Sequence, residues 1–150
     1  MQDKDDPELA LALLIIRWSA AAFLLVWALD KILGPDAALR TFSKFYLPLD
    51  STAVIALIGI VQLALVLAFA AGAFRTWTYG AVVVMHAAST LASWAKYMDP
   101  WARPNILFWA ALPVLGALIA LFILRKRDTR FAFDARVRSG RADYSTGSSV

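Results

Sequence analysis

The sequence predicts an all-α membrane protein: a bundle of four transmembrane helices with a short amphipathic interfacial helix in the first loop. Three observations predict it. Of 150 residues, 61% are hydrophobic and 17% charged, and the mean hydropathy of +0.64 describes more apolar surface than a soluble fold hides. The charges crowd the two ends and the short connections, which is the pattern of spans separated by loops. The stretches between them are each long enough to cross ~30 Å of hydrocarbon at ~1.5 Å per residue.

The N-terminus, Met1-Gln2-Asp3-Lys4-Asp5-Asp6-Pro7-Glu8, is acidic, and no small-residue cleavage site follows a short apolar core, so the first apolar segment reads as a retained span. Span one covers about 9–31, span two 52–74, span three 77–97 and span four 105–124. Loop one is the largest connection. Its Gly34-Pro35-Asp36 is a turn and helix-start signal, and Leu39, Phe42 and Phe45/Tyr46 recur at helical spacing, which predicts a helix lying on the bilayer surface. Loop two is nearly absent, with Arg75 as its charge. Loop three is Met98-Asp99-Pro100-Trp101-Ala102-Arg103-Pro104, and Pro104 suits the first turn of span four.

Lys and Arg flanking a span are retained on the cytoplasmic side. The C-terminal segment carries Arg125, Lys126, Arg127, Arg130, Arg136, Arg138 and Arg141 against Asp128 and Asp134, which places the C-terminus inside. Four spans then put the N-terminus there too, although Lys31, Arg40 and Lys44 in and beside loop one oppose that orientation. Two domains are expected: a bundle over 1–127 and a basic, largely disordered cytoplasmic tail over 128–150, which sits against anionic headgroups as a topology signal or docks a partner. The basic residues flank spans, so the partner they suggest is lipid and no nucleic acid is expected.

Ionisable groups inside spans mark candidate sites, because each costs several kcal/mol unless it faces the protein interior or reaches the interface. Arg17 lies eight residues into span one, roughly 12 Å from its boundary, and no Asp or Glu sits at similar depth. It either snorkels to the headgroups and binds lipid phosphate or presents its fork to a ligand in the bundle. In span three, Tyr79, His86, Ser89, Thr90, Ser93 and Tyr97 form a stripe expected to face the bundle axis. Gln62 sits near the middle of span two, so Arg17, Gln62 and His86 are able to meet near the midplane. Ser89, Thr90, Ser93 and Gln62 equally suit ordinary interhelical hydrogen bonding, whereas a histidine that titrates near neutrality suits proton exchange. In span four, Trp109, Pro113, Gly116 and Ala120 form a face expected to pack against another helix. Trp27, Asp30, Lys31, Tyr46, Trp94, Lys96 and Trp101 fall near the boundary, where aromatic and charged anchors belong.

The chain has no cysteine and one histidine, so it offers no dithiol and no metal site of the usual ligand count, and no catalytic residue set can be assigned.

The Arg early in span one, then Phe23 and Trp27-Ala28-Leu29-Asp30-Lys31-Ile32-Leu33 leading into an amphipathic loop, resemble the start of DoxX-like membrane proteins. His86-Ala87-Ala88-Ser89-Thr90 and Leu107-Phe108-Trp109-Ala110-Ala111-Leu112-Pro113-Val114-Leu115-Gly116 resemble the same group, so the resemblance covers about 13–127. Ala28 and Asp30 stand where glycine is common in that family. The resemblance implies a four-helix protein of the bacterial inner membrane, and Arg17, Lys31 and His86 are the positions that match, without an agreed catalytic role. Three functions follow as expectations. The first is a noncatalytic subunit or scaffold of a membrane-associated redox complex, held to redox-protein partners or to a second copy of itself. The second is a quinone-binding component in which Arg17 and His86 grip quinone oxygens. The third is a small transporter using the span-three stripe, disfavoured by the lack of a buried carboxylate for coupling.

Overall fold

The computed structural model describes residues 6–46 and 48–135. Asp6 starts the first helix by accepting from the amides of Glu8 at 3.0 Å and Leu9 at 3.2 Å. Pro7 at the first helical position loses nothing for its missing N–H. Helix α1, Pro7–Leu33, is therefore longer at both ends than the expected span. Gly34 separates it from α2, Pro35–Phe45, and then come α3, Thr52–Ala70, and α4, Arg75–Ala92. A short α5, Trp94–Met98, a 3-10 helix, Asn105–Ala110, and α6, Ala111–Ile123, complete the order.

Three of these segments, Pro7–Leu33, Thr52–Ala70 and Asn105–Ile123, are long and apolar enough to cross a membrane. Helix α4 falls outside that set because Arg75, Thr76, Thr78, Tyr79, His86, Ser89 and Thr90 lower its apolar character. Those side chains are mostly not on its outer surface: Thr78, Tyr79, Val82, His86 and Thr90 form its buried face, so of the expected stripe Tyr79, His86 and Thr90 are buried, while Ser89, Ser93 and Tyr97 are half-buried. Span three is also not one unbroken helix, since it ends at Ala92 and resumes as α5. Span four begins as a 3-10 turn and becomes α-helical at Ala111, two residues before Pro113. A proline inside an α-helix clashes with the carbonyl four residues back and donates to nothing, so regular helix is tolerated from its first turn onward.

The long helices form a closed ring in which α1 packs on α3, α3 on α4, α4 on α6 and α6 on α1. Leu13, Leu24, Val66, Phe69, Tyr79, Val82, Leu118 and Leu121 fill its centre. Helices α1 and α3 approach closely at Gly59, where a Cβ would stand 2.8 Å from Lys31 Cβ and 2.9 Å from Ile32 Cγ1; glycine there lets α3 lie against the end of α1. Helix α2 crosses the bundle at what we term the loop end. It docks Phe45 on Phe108 with ring centroids 5.8 Å apart and buries Ala38.

Two expectations are corrected. The face of Trp109, Pro113, Gly116 and Ala120 points away from the bundle, and nothing lies within 4 Å of a Cβ built on Gly116. Helix α6 packs instead through Leu118 and Leu121, which are fully buried. The division at residue 127 also does not separate body from tail. Asp128 and Ala132 are 0% exposed, and Phe133 N–H donates to the Ala71 carbonyl at 3.0 Å. Residues 128–135 thus form a strap folded under the opposite end of the bundle, the tail end; the remainder of the expected tail, 136–150, lies outside the described residues.

Candidate functional site

The strongest polar constellation is at the tail end, and Arg17 is its centre. A guanidinium on a buried helix face requires acceptors for its five donors, and the chain supplies them from far along the sequence. Nη1 donates to Asp128 Oδ2 at 2.8 Å and to the Tyr79 hydroxyl at 3.3 Å. Nη2 donates to the carbonyls of Arg130 at 2.8 Å and Phe131 at 3.4 Å. The Tyr79 hydroxyl in turn donates to Asp128 Oδ2 at 2.6 Å. Arg17 and Asp128 both have 0% exposed side chains, so this is a fully buried ion pair whose attraction must offset a desolvation penalty of several kcal/mol per ion.

The countercharge sought among the spans is therefore Asp128, from the segment expected to be tail. Arg17 neither snorkels to lipid nor awaits a ligand in this state. Its depth follows from the register of α1 on α4. Arg17 meets Tyr79, only four residues beyond the start of α4, so it lies roughly 6 Å from that helix's end, while the first turn of α1 extends past the start of α4.

A second ion pair fixes the strap. Asp134 accepts from the amides of Phe74 at 2.9 Å and Arg75 at 3.0 Å, and its Oδ2 lies 3.6 Å from Arg75 Nε. Phe74 is in the left-handed region at φ 49 and its own side chain caps nothing, so the strap carboxylate performs the capping. Partial burial pushes the Asp134 carboxyl up, but the two amides and the Arg75 guanidinium together outweigh it and hold the group below its ordinary value. Arg75 also donates to the Asp128 carbonyl. Gly72, at φ +63, sits in the middle: a Cβ there would stand 2.8 Å from Arg17 Nη1 and 2.9 Å from Ala132 Cβ, so the close approach of the strap needs a residue without one. Two buried atoms of the ion pair, Arg17 Nε and Asp128 Oδ1, have no partner among the described residues.

The expected cluster of Arg17, Gln62 and His86 does not form. His86 packs edge-on against Phe23, with ring centroids 5.8 Å apart; since Phe23 is six residues beyond Arg17, the histidine sits about 9 Å farther toward the loop end. Its Nε2 is 3.1 Å from the Ala111 carbonyl. Gln62 is buried seven residues from Phe69, whose ring contacts Tyr79, so it stands near the level of His86 without a hydrogen bond to it or to Arg17. The hydroxyls are used locally: Thr90 donates to the His86 carbonyl at 2.8 Å, Ser93 to the Ser89 carbonyl at 3.1 Å, and Ser89 accepts from Tyr46 at 2.6 Å. At the loop end, Trp27, Tyr46, Trp94 and Trp101 are exposed, Asp30 is exposed, and Lys31 and Lys96 are half-buried, with Lys31 Nζ donating to the Trp27 carbonyl at 3.0 Å. Val26, Trp27, Asp30, Ala37 and Thr41 line a shallow groove between α1 and α2. No group of three or more metal-ligating side chains occurs among the described residues.

The residues that sequence reasoning passed over are Asp128, Asp134, Arg75 and Gly72. A signal for them exists in Phe131-Ala132-Phe133, an apolar run inside a basic segment and flanked by its two carboxylates. No protein-family model matches the chain, and neither does any curated protein or solved structure.

Proposed function

We propose that the chain is a four-span, DoxX-like membrane protein with both termini cytoplasmic, acting as a noncatalytic subunit or scaffold of a membrane-associated redox complex. The observation that carries this reading is that Arg17 and His86, the two side chains expected to grip a quinone, hold partners within the chain. Arg17 is committed to Asp128, Tyr79 and the strap carbonyls, and His86 to Ala111. A quinone site needs those two groups free to face one cavity, and each is instead bonded within the chain. Support for a fourth crossing comes from α4 itself, which lies in the ring of long helices with its polar residues turned inward. Exposed Trp27, Trp94 and Trp101 at one end, and Trp18 and Trp77 toward the other, suit two interfacial belts. Helix α2, with Arg40, Thr41 and Lys44 outward, suits the surface between α1 and α3.

Affinity purification in mild detergent from the native membrane, with bound molecules identified by mass spectrometry, tests the function. Co-purifying redox proteins without stoichiometric quinone is the expected result. A quinone retained by the wild type and lost in His86→Ala would overturn it. Because the chain has no cysteine, topology is read separately from single substitutions: Asp36→Cys and Asp99→Cys should react with an impermeant maleimide from outside, and Thr129→Cys only after the membrane is opened.

A further inference from the structure

Two carboxylates of one strap occupy the tail-end site, and without them it has the chemistry of an anion receptor. It would present the Arg17 guanidinium from α1, the Arg75 guanidinium, the Tyr79 hydroxyl and the two free amides at the start of α4, with Gly72 keeping the middle open. We propose that this is a binding site for an acidic phosphate group, which the chain occupies with its own Asp128 and Asp134 until the strap is displaced.

Three features point to an occupant other than the strap. Asp128 satisfies the guanidinium incompletely: its Oδ2 takes both Arg17 Nη1 and the Tyr79 hydroxyl, while its Oδ1 and Arg17 Nε are buried and have no partner among the described residues. A phosphate, with more acceptor oxygens than a carboxylate, has one for Nε as well. The strap is also held by polar groups more than by burial, since Ala132 is its one buried apolar side chain among the described residues, while Phe131 and Phe133 are 57% and 56% exposed. Finally, Phe131 is held at φ 51, a left-handed conformation that a bulky residue adopts under strain, released when the strap lifts. The exposed rings of Trp18, stacked on Phe131 at 6.2 Å, and Phe74 border the site. The surface they suit is the cytoplasmic leaflet with its acidic phospholipids, which rests on the orientation proposed above; the anion chemistry does not.

The test uses the full chain with Phe133→Cys carrying a spin label, the only thiol present. In phosphatidylcholine vesicles the label should be immobilised, and phosphatidylglycerol should raise the mobile fraction severalfold. Inorganic phosphate added to the protein in detergent probes the same site without a bilayer. A response to lipid alone identifies an acidic lipid as the source, a response to phosphate alone identifies the free anion, and a label mobilised by neither overturns the proposal. Native mass spectrometry gives the second readout. Asp128→Asn with Asp134→Asn should retain at least one more phosphatidylglycerol per chain than the wild type, and adding Arg17→Gln should remove it. No additional lipid, or one that survives Arg17→Gln, also overturns the proposal. Unchanged helical content by circular dichroism confirms that each variant is folded.

Discussion

The two ends of the bundle solve the same problem in different ways. At the tail end, two guanidiniums are neutralised by carboxylates 111 and 59 residues away, and the contacts cross from helix to strap. At the loop end, polar side chains bond within their own helix, as Thr90 does to His86 and Ser93 to Ser89, or make one exposed link, as Tyr46 does to Ser89. The tail end therefore concentrates stability in a few long-range pairs, while the loop end distributes it over contacts that can be lost singly.

That contrast breaks most readily at Asp128. Asp128→Ala leaves Arg17 buried without its countercharge and should cost about 3–5 kcal/mol, read from reversible unfolding in mixed micelles. The neutral pair Arg17→Gln with Asp128→Asn should cost much less than the sum of its single changes, and additive losses would mean that the pair is not coupled. Next is Gly72→Ala, which forces a Cβ into Arg17 and a side chain into a left-handed backbone; a loss of roughly 1–3 kcal/mol is expected.

Asp134→Ala should cost about 1 kcal/mol as a lost helix cap. Its pH dependence has a defined sign. The folded-state pKa lies below the ordinary carboxyl value of 3.8, so the contribution is fully present above 3.8 and disappears as pH falls through the lower folded-state value. A label on the strap should loosen in that acid window in the wild type, and Asp134→Asn should lose the transition attributable to this group. At the loop end, Tyr46→Phe removes one exposed hydrogen bond and should cost no more than about 0.5–1 kcal/mol. Gly116→Ala should be neutral or stabilising by up to about 1 kcal/mol, since the position is open and helical. A large loss there, measured by the same unfolding, would place a partner helix on that face.

Local pattern carried the helices and failed at the contacts between distant segments. The first two spans, the break at Gly34 and the inward stripe of α4 follow from hydropathy and period, and Arg17 stood out as a charge in a span. Its partner did not, because Asp128 lies within Arg125-Lys126-Arg127-Asp128-Thr129-Arg130, where one acid among bases reads as part of a topology signal. The proposed meeting of Arg17 with His86 failed on register: counting from each helix's own end ignores how far α1 protrudes past α4. The outward turn of Gly116 was also not legible, since a small-residue stripe has the same sequence whether it meets a helix or lipid.

The 111-residue separation of Arg17 from Asp128 also sets an order of events during synthesis. At ~5–20 residues per second, Asp128 is made roughly 6–20 s after Arg17, so the first helix enters the membrane and waits with an unneutralised guanidinium. A nascent chain halted anywhere in that interval carries a buried cation with no partner, and completion of the strap is the step that ends this exposure. The countercharge of the first helix is thus among the later residues to be made: only a chain translated past Asp128 carries the partner of its own Arg17.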